Sequence, residues 1–200
     1  MGNGASIAPG GRHGKRAAII ALVNAARHAQ QPASITVTYL QVEDVEAIRP
    51  PSTPAPRELG TRVVQDFTRN RDLYARVGAD YSWIDRLGWN DRQWRAWADR
   101  VETHVVELRG KEIGYFELEP EPSSTKIAIF GLLGGYHGRG LGGHALTSAL
   151  RRGFELKPRV WLTTCSLDSP AALPNYRARG LEVFRVEERP WSPRARSLGA

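Results

Sequence analysis

The sequence predicts a mixed α/β domain whose central sheet is largely antiparallel and flanked by helices. Three observations carry that expectation. Two strand-like runs, "THVVELRG" and "KEIGYFELEP", sit back to back with only Gly110 and Lys111 at their junction, the mark of a hairpin with a tight turn. The next run, "TKIAIFGLL", is almost wholly apolar over 127–133, as a strand buried on both faces must be. A glycine-dense stretch then leads into "LGGHALTSALRRGFEL", where Leu141, Ala145 and Ala149 recur at helical spacing.

The remaining elements follow in order. "SITVTYLQV" alternates Ile35, Val37 and Tyr39 with Thr36, Thr38 and Leu40, so it reads as a first strand. The prolines of "RPPSTPAPRE" forbid regular helix or central strand there. Over 59–77 the mixture of apolar and charged residues predicts helix. In "NDRQWRAWADRV", Asn90 and Gln93 have capping-box spacing, and Trp94, Trp97 and Val101 share a face. After the glycine stretch and its helix come a strand in "RVWLTT", a short helix in "SPAALPNYRARG" closed by Gly180, and a final strand in "LEVFRVEE". Helical crossovers in the later part and a hairpin in the middle make the sheet mixed.

Two hundred residues with 41% hydrophobic content suit one domain with its own core. We expect an N-terminal extension over 1–33, partly disordered or a short helix, a folded domain over 34–188, and a basic tail over 189–200. The start "MGNGAS" fits a myristoylation pattern, and "GRHGKRAAIIALVNAA" makes a poor signal peptide because Asn24 breaks its apolar stretch. No run of eighteen apolar residues occurs, so no membrane span is expected. The net charge of +7 suits an anionic partner. Its positive residues are scattered, with no basic stripe interleaved with aromatics, which argues against nucleic acid. Cys165 is the lone cysteine and cannot form an internal disulfide, in keeping with a cytoplasmic location; within its strand it reads as a buried structural thiol.

"FGLLGGYHGRGLGGHAL" places seven glycines in seventeen positions before a helix, more than a plain strand-to-helix turn needs. Gly140, Gly142 and Ala145 satisfy G-x-G-x-x-A, a dinucleotide fingerprint. The acidic residue expected about twenty positions later is missing, and too little chain remains for a doubly wound sheet. The alternative register Q/R-x-x-G-x-G/A is filled by His137, Gly138, Arg139, Gly140, Leu141 and Gly142. Here the chain resembles the GCN5-related N-acetyltransferase family, whose acetyl-coenzyme A loop carries that pattern between its fourth strand and third helix. Downstream, "LDSPAALPNYRARGLEVF" is similar to the family's segment of Asn, two variable positions, Ala, a Tyr and a Gly-Phe pair, represented by Asp168, Ala171, Tyr176 and Gly180-Leu181. Element order agrees from about residue 35 to 188. His137 stands for the usual Gln or Arg, Gly134 for a common proline, Asp168 for Asn and Leu181 for Phe.

The resemblance implies an acyl-CoA N-acyltransferase fold, with acetyl-CoA as cosubstrate, no metal, and a small-molecule or peptide amine as acceptor. Gly138, Gly140, Gly142 and Gly143 would let the pyrophosphate approach N–H groups at the helix start, with His137, Arg139, Leu141 and Asp168 alongside. Leu132, Leu133 and Gly134 would pair through their main chain with the pantetheine arm. A backbone N–H near Leu133 would meet the developing oxyanion. Tyr176 would return a proton to the thiolate, a modestly uphill transfer for a phenol of pKa near 10.

Strand alternation puts Tyr115, Glu117 and Glu119 on one face, so either carboxylate is a candidate base, and Lys126 on the next strand is a candidate partner for one of them. Tyr81 and Trp83, in the irregular aromatic stretch "GADYSWIDRLGW", are candidate acceptor-binding residues. His104 reads as a strand surface residue and His144 as a helix residue, and no His or Cys pair has zinc-ligand spacing. A second functional reading is an acyl-CoA binding or regulatory module of the same fold with weak turnover. Either would be a monomer or a homodimer.

Overall fold

The computed structural model describes residues 32–79, 81 and 83–191. The chain divides into two units, Met1–Ala33 and Ser34–Ala200, and the sheet and site belong to the second. Nearly all of the expected N-terminal extension lies outside the described residues, as does the tail beyond residue 191.

Seven strands form one sheet: β1 Ser34–Val42, β2 Leu59–Val64, β3 Glu102–Leu108, β4 Lys111–Pro120, β5 Thr125–Leu132, β6 Val160–Cys165 and β7 Glu182–Pro190. Their order is β2-β3-β4-β5-β6-β1-β7, and all pairings are antiparallel except β5 with β6. That pair is parallel because a helix crossover joins it. Helices α1 (Phe67–Gly78) and α2 (Asp91–Ala98) cover one face; α3 (Leu141–Leu156) and α4 (Ala172–Ala178) cover the other. Beneath α3, Leu146, Ala149 and Leu150 meet Leu40, Phe116, Leu118 and Leu162 in the main core. Beneath α1 and α2, Leu73, Val77 and Val105 pack together, and Tyr74, Trp94 and Trp97 form an aromatic layer.

Local signals account for most element ends. Asn90 and Gln93 form the expected capping box at 3.0 Å in both directions. Arg109 and Gly110, at φ 54° and 69°, make the two-residue turn between β3 and β4. Gly180, at φ 96°, stops the chain after α4. The helix expected over 59–77 is corrected: Leu59–Val64 pairs with β3 as an edge strand, and helix starts only after Asp66, whose carboxylate caps Thr68 N–H. Four of the six β2 residues are exposed, so no period-2 apolar signal marked it. His104 is also corrected, since it is buried, stacked on Phe116 at 4.6 Å and hydrogen-bonded to Glu102. Among the described residues no helix is long and apolar enough to cross a membrane.

Candidate active site

The central feature is a parting of the sheet. β5 and β6 pair only at Thr125–Val160, Lys126–Trp161 and Ile127–Leu162. Beyond that point β5 stays with β4 as far as Leu132, while β6 stays with β1 as far as Cys165. Ala128 is the extra residue of a bulge against β4, immediately after the last β5–β6 pair. Such a bulge bends its strand and ends regular pairing. The opened wedge leads into a cavity of about 550 Å³ that runs from the start of α3 to the aromatic layer under α1 and α2.

Main-chain groups on β5 decide what the wedge offers. Leu133 N–H donates to the Ile113 carbonyl at 2.8 Å, so it faces β4 and is used. Strand alternation then turns the N–H and C=O groups of Phe130 and Leu132 towards the wedge. This supports the placing of Leu132 and corrects that of Leu133, whose N–H is not available to an oxyanion and which does not line the cavity. Phe130 escaped notice because a side chain gives no sign of which way its peptide points. Gly134 opens a short 3-10 turn and also lies off the cavity wall.

At the start of α3 the glycines act through conformation and space. Gly138 and Gly140 have φ of 70° and 75°, a region L-residues with a Cβ avoid. No side chain caps the helix, so its first N–H groups have no partner from a capping residue. A Cβ at Gly143 would collide with the Arg179 guanidinium. His137, Gly138, Gly140, Gly142 and Gly143 line the cavity. Arg139 instead reaches over the Tyr136 ring, 5.5 Å from its centroid, and Leu141 is buried in the core, leaving only its main chain for binding. Two residues missed in the sequence stand here. Asn175 Nδ2 donates to Gly142 C=O at 3.4 Å, and Arg179 brings a cation to the helix start with its Nε unpartnered. Burial holds the Arg179 pKa below its usual value. A cation at the positive end of a helix, beside uncapped N–H groups, fits a bound anion such as a pyrophosphate.

His137 Nε2–H donates to Leu132 C=O at 2.8 Å, and the Tyr81 hydroxyl lies 3.3 Å from Nδ1. The loop before α2 is thereby tied to the glycine loop. Asp168 lines the cavity as expected and also braces the strand: its Oδ2 accepts from Thr164 Oγ1 and Cys165 N–H, both at 2.9 Å, which holds the free end of β6. Cys165 is half-buried and lines the cavity, so it is not the sequestered core thiol expected.

Tyr176, on α4, is 7% exposed, lines the cavity and meets Phe130 edge-on. Burial first, and then the negative charge of Asp168, push its pKa above the ordinary phenol value. Proton donation from it to a thiolate is therefore more uphill than the sequence suggested.

The two candidate bases separate. Glu117 is fully buried behind the wall, accepting from Trp97 Nε1 at 2.7 Å, Asn70 Nδ2 at 2.8 Å and Arg86 at 3.3 Å. Burial raises its pKa, with Arg86 and the hydrogen bonds opposing. It does not line the cavity and cannot take a proton from a substrate there. Glu119 does line it, in an ion pair with Arg100. Lys126, opposite Glu119 in the β4–β5 register, lines it too. Tyr81 and Trp83 both face the cavity, although Trp83 is equally a packing residue wedged against Gly78 and Gly131. Arg86 lies 3.8 Å over Trp97 and 5.1 Å over Trp89, an arrangement no local pattern announced. Among the described residues no three His, Cys, Asp or Glu side chains come together as a metal site.

The profile of the acetyltransferase (GNAT) family matches residues 62–181. No match was found among curated proteins. Among solved structures, a GCN5-related N-acetyltransferase from Kribbella flavida aligns over 76% of this chain and 58% of its own length, at 19% identity and TM-score 0.55. A GCN5-related N-acetyltransferase from Sphaerobacter thermophilus aligns over 85% of this chain and 56% of its own, at 16% identity and TM-score 0.54. A functionally unknown conserved protein from Staphylococcus epidermidis aligns over 84% and 65%, at 14% and 0.53. The chain thus spans less than two thirds of each, and the likeness is one of fold.

Proposed function

The chain belongs to the GNAT acetyltransferase family, and from that premise we propose that it moves an acetyl group from acetyl-CoA to a primary amine by direct attack. The parting of β5 from β6 carries this reading, because it joins an anion-binding helix start to a cavity holding both a phenol and a carboxylate. In this reading the pyrophosphate lies against the N–H groups of Gly142 and Gly143 and the Arg179 guanidinium. The pantetheine arm runs along the free edge of Phe130 and Leu132, which requires His137 to release the Leu132 carbonyl. Bound there, the cosubstrate presents a thioester to the amine and leaves as a thiolate.

The chain's own groups supply the proton transfers. Glu119 accepts a proton from the amine, directly or through water, and Tyr176 returns one to the thiolate. The main-chain N–H groups on the wedge edge replace the Leu133 N–H as donors to the oxyanion. The enzyme is taken to be cytoplasmic, a monomer or homodimer acting on a small-molecule or peptide amine, with no requirement for metal, nucleic acid or membrane.

A second reading, an acyl-CoA binding module with weak turnover, draws support from the raised Tyr176 pKa and from His137 on the Leu132 carbonyl. Thiol release from acetyl-CoA across a panel of amines tests the choice. Amine-dependent release is expected, with Gly140→Glu inactive; release by that variant equal to the parent's would remove the assigned pyrophosphate site. Tight CoA binding with no release from any amine would favour the binding module.

A further inference from the structure

The glycine loop meets the segment between α1 and α2 at one side chain. His137 Nε2–H donates to the Leu132 carbonyl at 2.8 Å, which engages the last main-chain acceptor of β5 on its open edge. With that nitrogen protonated, Nδ1 is the accepting atom, and the Tyr81 hydroxyl lies 3.3 Å from it. The Tyr81 ring stands 5.9 Å from the imidazole and 6.2 Å from the Trp83 indole. Trp83 in turn is wedged in place: a Cβ at Gly78 would fall 2.6 Å from its own Cβ, and a Cβ at Gly131 would fall 3.2 Å from its Cη2. The contacts therefore close a ring, from Leu132 through His137, Tyr81 and Trp83 to Gly131, the neighbour of Leu132. All five residues line the cavity.

The members of this ring are held unequally. Trp83 is packed against the end of α1 and against β5, whereas His137 is exposed and its imidazole is held by these contacts. An exposed hydrogen bond exchanges with water at small net cost, so His137 is the member free to swing out. A pantetheine arm on the edge of Phe130 and Leu132 brings amide N–H groups to the same carbonyl from the same side. The imidazole and the arm cannot both stand there. When His137 leaves, Nδ1 leaves with it, and the Tyr81 contact is lost as well.

We propose that His137 and the pantetheine arm are alternative occupants of the Leu132 edge, so that His137 holds cosubstrate affinity down and its departure releases Tyr81 at the wall assigned to the acceptor. This rests on reading the wedge as the acyl-CoA site. A contact of this strength keeps the edge closed for all but ~10–30% of the time, and affinity falls by that open fraction, ~3- to 10-fold.

Calorimetric titration of CoA into the full chain, His137→Ala, Tyr81→Phe and the double variant tests the proposal. His137→Ala is expected to bind CoA ~3- to 10-fold more tightly than the parent, because the competing occupant is gone. Tyr81→Phe, which loosens His137, should tighten binding ~2- to 3-fold, and should add nothing in the His137→Ala background. Unchanged affinity in His137→Ala would overturn the proposal by showing that the imidazole does not compete. Weaker binding would overturn it equally, by making His137 a direct ligand of the cosubstrate. No Tyr81→Phe effect in the parent, or an equal effect in both backgrounds, would break the link to Tyr81 and overturn it too. The acyl-CoA reading fails separately: it falls if none of the four proteins binds CoA, and it stands if the parent binds while His137→Ala is unchanged.

Discussion

The two ends of the cavity are built by opposite means. At the start of α3 the proposed binding groups are peptide N–H donors presented by Gly138, Gly140, Gly142 and Gly143, with Arg179 the main side-chain addition. At the end beneath α1 and α2, proposed for the acceptor, nearly everything is side chain: Trp83 and Arg86 from a loop, Trp97 from α2, Glu119 from β4, Lys126 from β5 and Arg189 from β7. A site made of main chain constrains its sequence to lack side chains, and so leaves a dense local trace. A site made of side chains from five segments leaves no trace in any one of them.

The largest expected effect bears on the first end. Gly140→Glu imposes a Cβ at φ 75° and a negative charge at the helix start, and should weaken CoA binding by ~100-fold or more by calorimetry. Arg139→Ala, which removes a side chain lying over Tyr136, should change the same affinity by less than ~3-fold. A large Arg139 effect would break the contrast by showing that end to depend on side chains after all. Next, Tyr176→Phe should lower kcat by ~100-fold with CoA affinity retained, as measured by thiol release and titration. Loss of affinity in its place would make the ring a packing element.

Glu117 and Glu119 sharpen the other end, since alternation placed both on one face and burial separates them. Glu119→Gln is expected to cut kcat/KM by ~10-fold with little change in stability. Glu117→Gln should act on stability and its pH dependence. The folded-state pKa of Glu117 lies above its ordinary value of 4.5. The unfolded chain therefore gives up this proton first, so the group's stabilising contribution is full below that value and is lost as pH rises through the folded one. Glu117→Gln should flatten that decline in denaturant midpoints measured across pH. An unchanged profile would remove the buried carboxylate as its source. The smallest effect is expected from Tyr81→Phe, which deletes one half-exposed hydrogen bond to His137 and should alter KM by ~2- to 5-fold.

Much of the fold was legible before any coordinates. The hairpin, whose turn falls on Arg109 and Gly110 rather than Gly110 and Lys111, the capping box of α2, the apolar run of β5 and the stop at Gly180 each rest on local chemistry; β5 is fully buried only at Thr125, Ile127 and Leu132, because Ala128 to Gly131 border the cavity. β2 was misread because an edge strand exposed on both faces carries no period, and its Leu59 and Val63 stand four apart, the spacing of a helix face. In the site, His137 and the four glycines were visible as a motif. Asn175 and Arg179 were not, because they reach the glycine loop from α4, more than thirty residues further along the chain.

By itself the sequence determined what depends on neighbours in the chain: most element types, turns, caps, and a helix start stripped of side chains. The tertiary structure alone decided which peptides of β5 face the open wedge, which of two glutamates touches the cavity, and that Asp168 braces a strand end. The reason is physical. Main-chain direction at Leu132 and Leu133 depends on register with β4, and the burial of Glu117 depends on Asn70, Arg86 and Trp97 arriving from three other segments. Such facts exist only once the strands have paired and the helices have settled on the sheet.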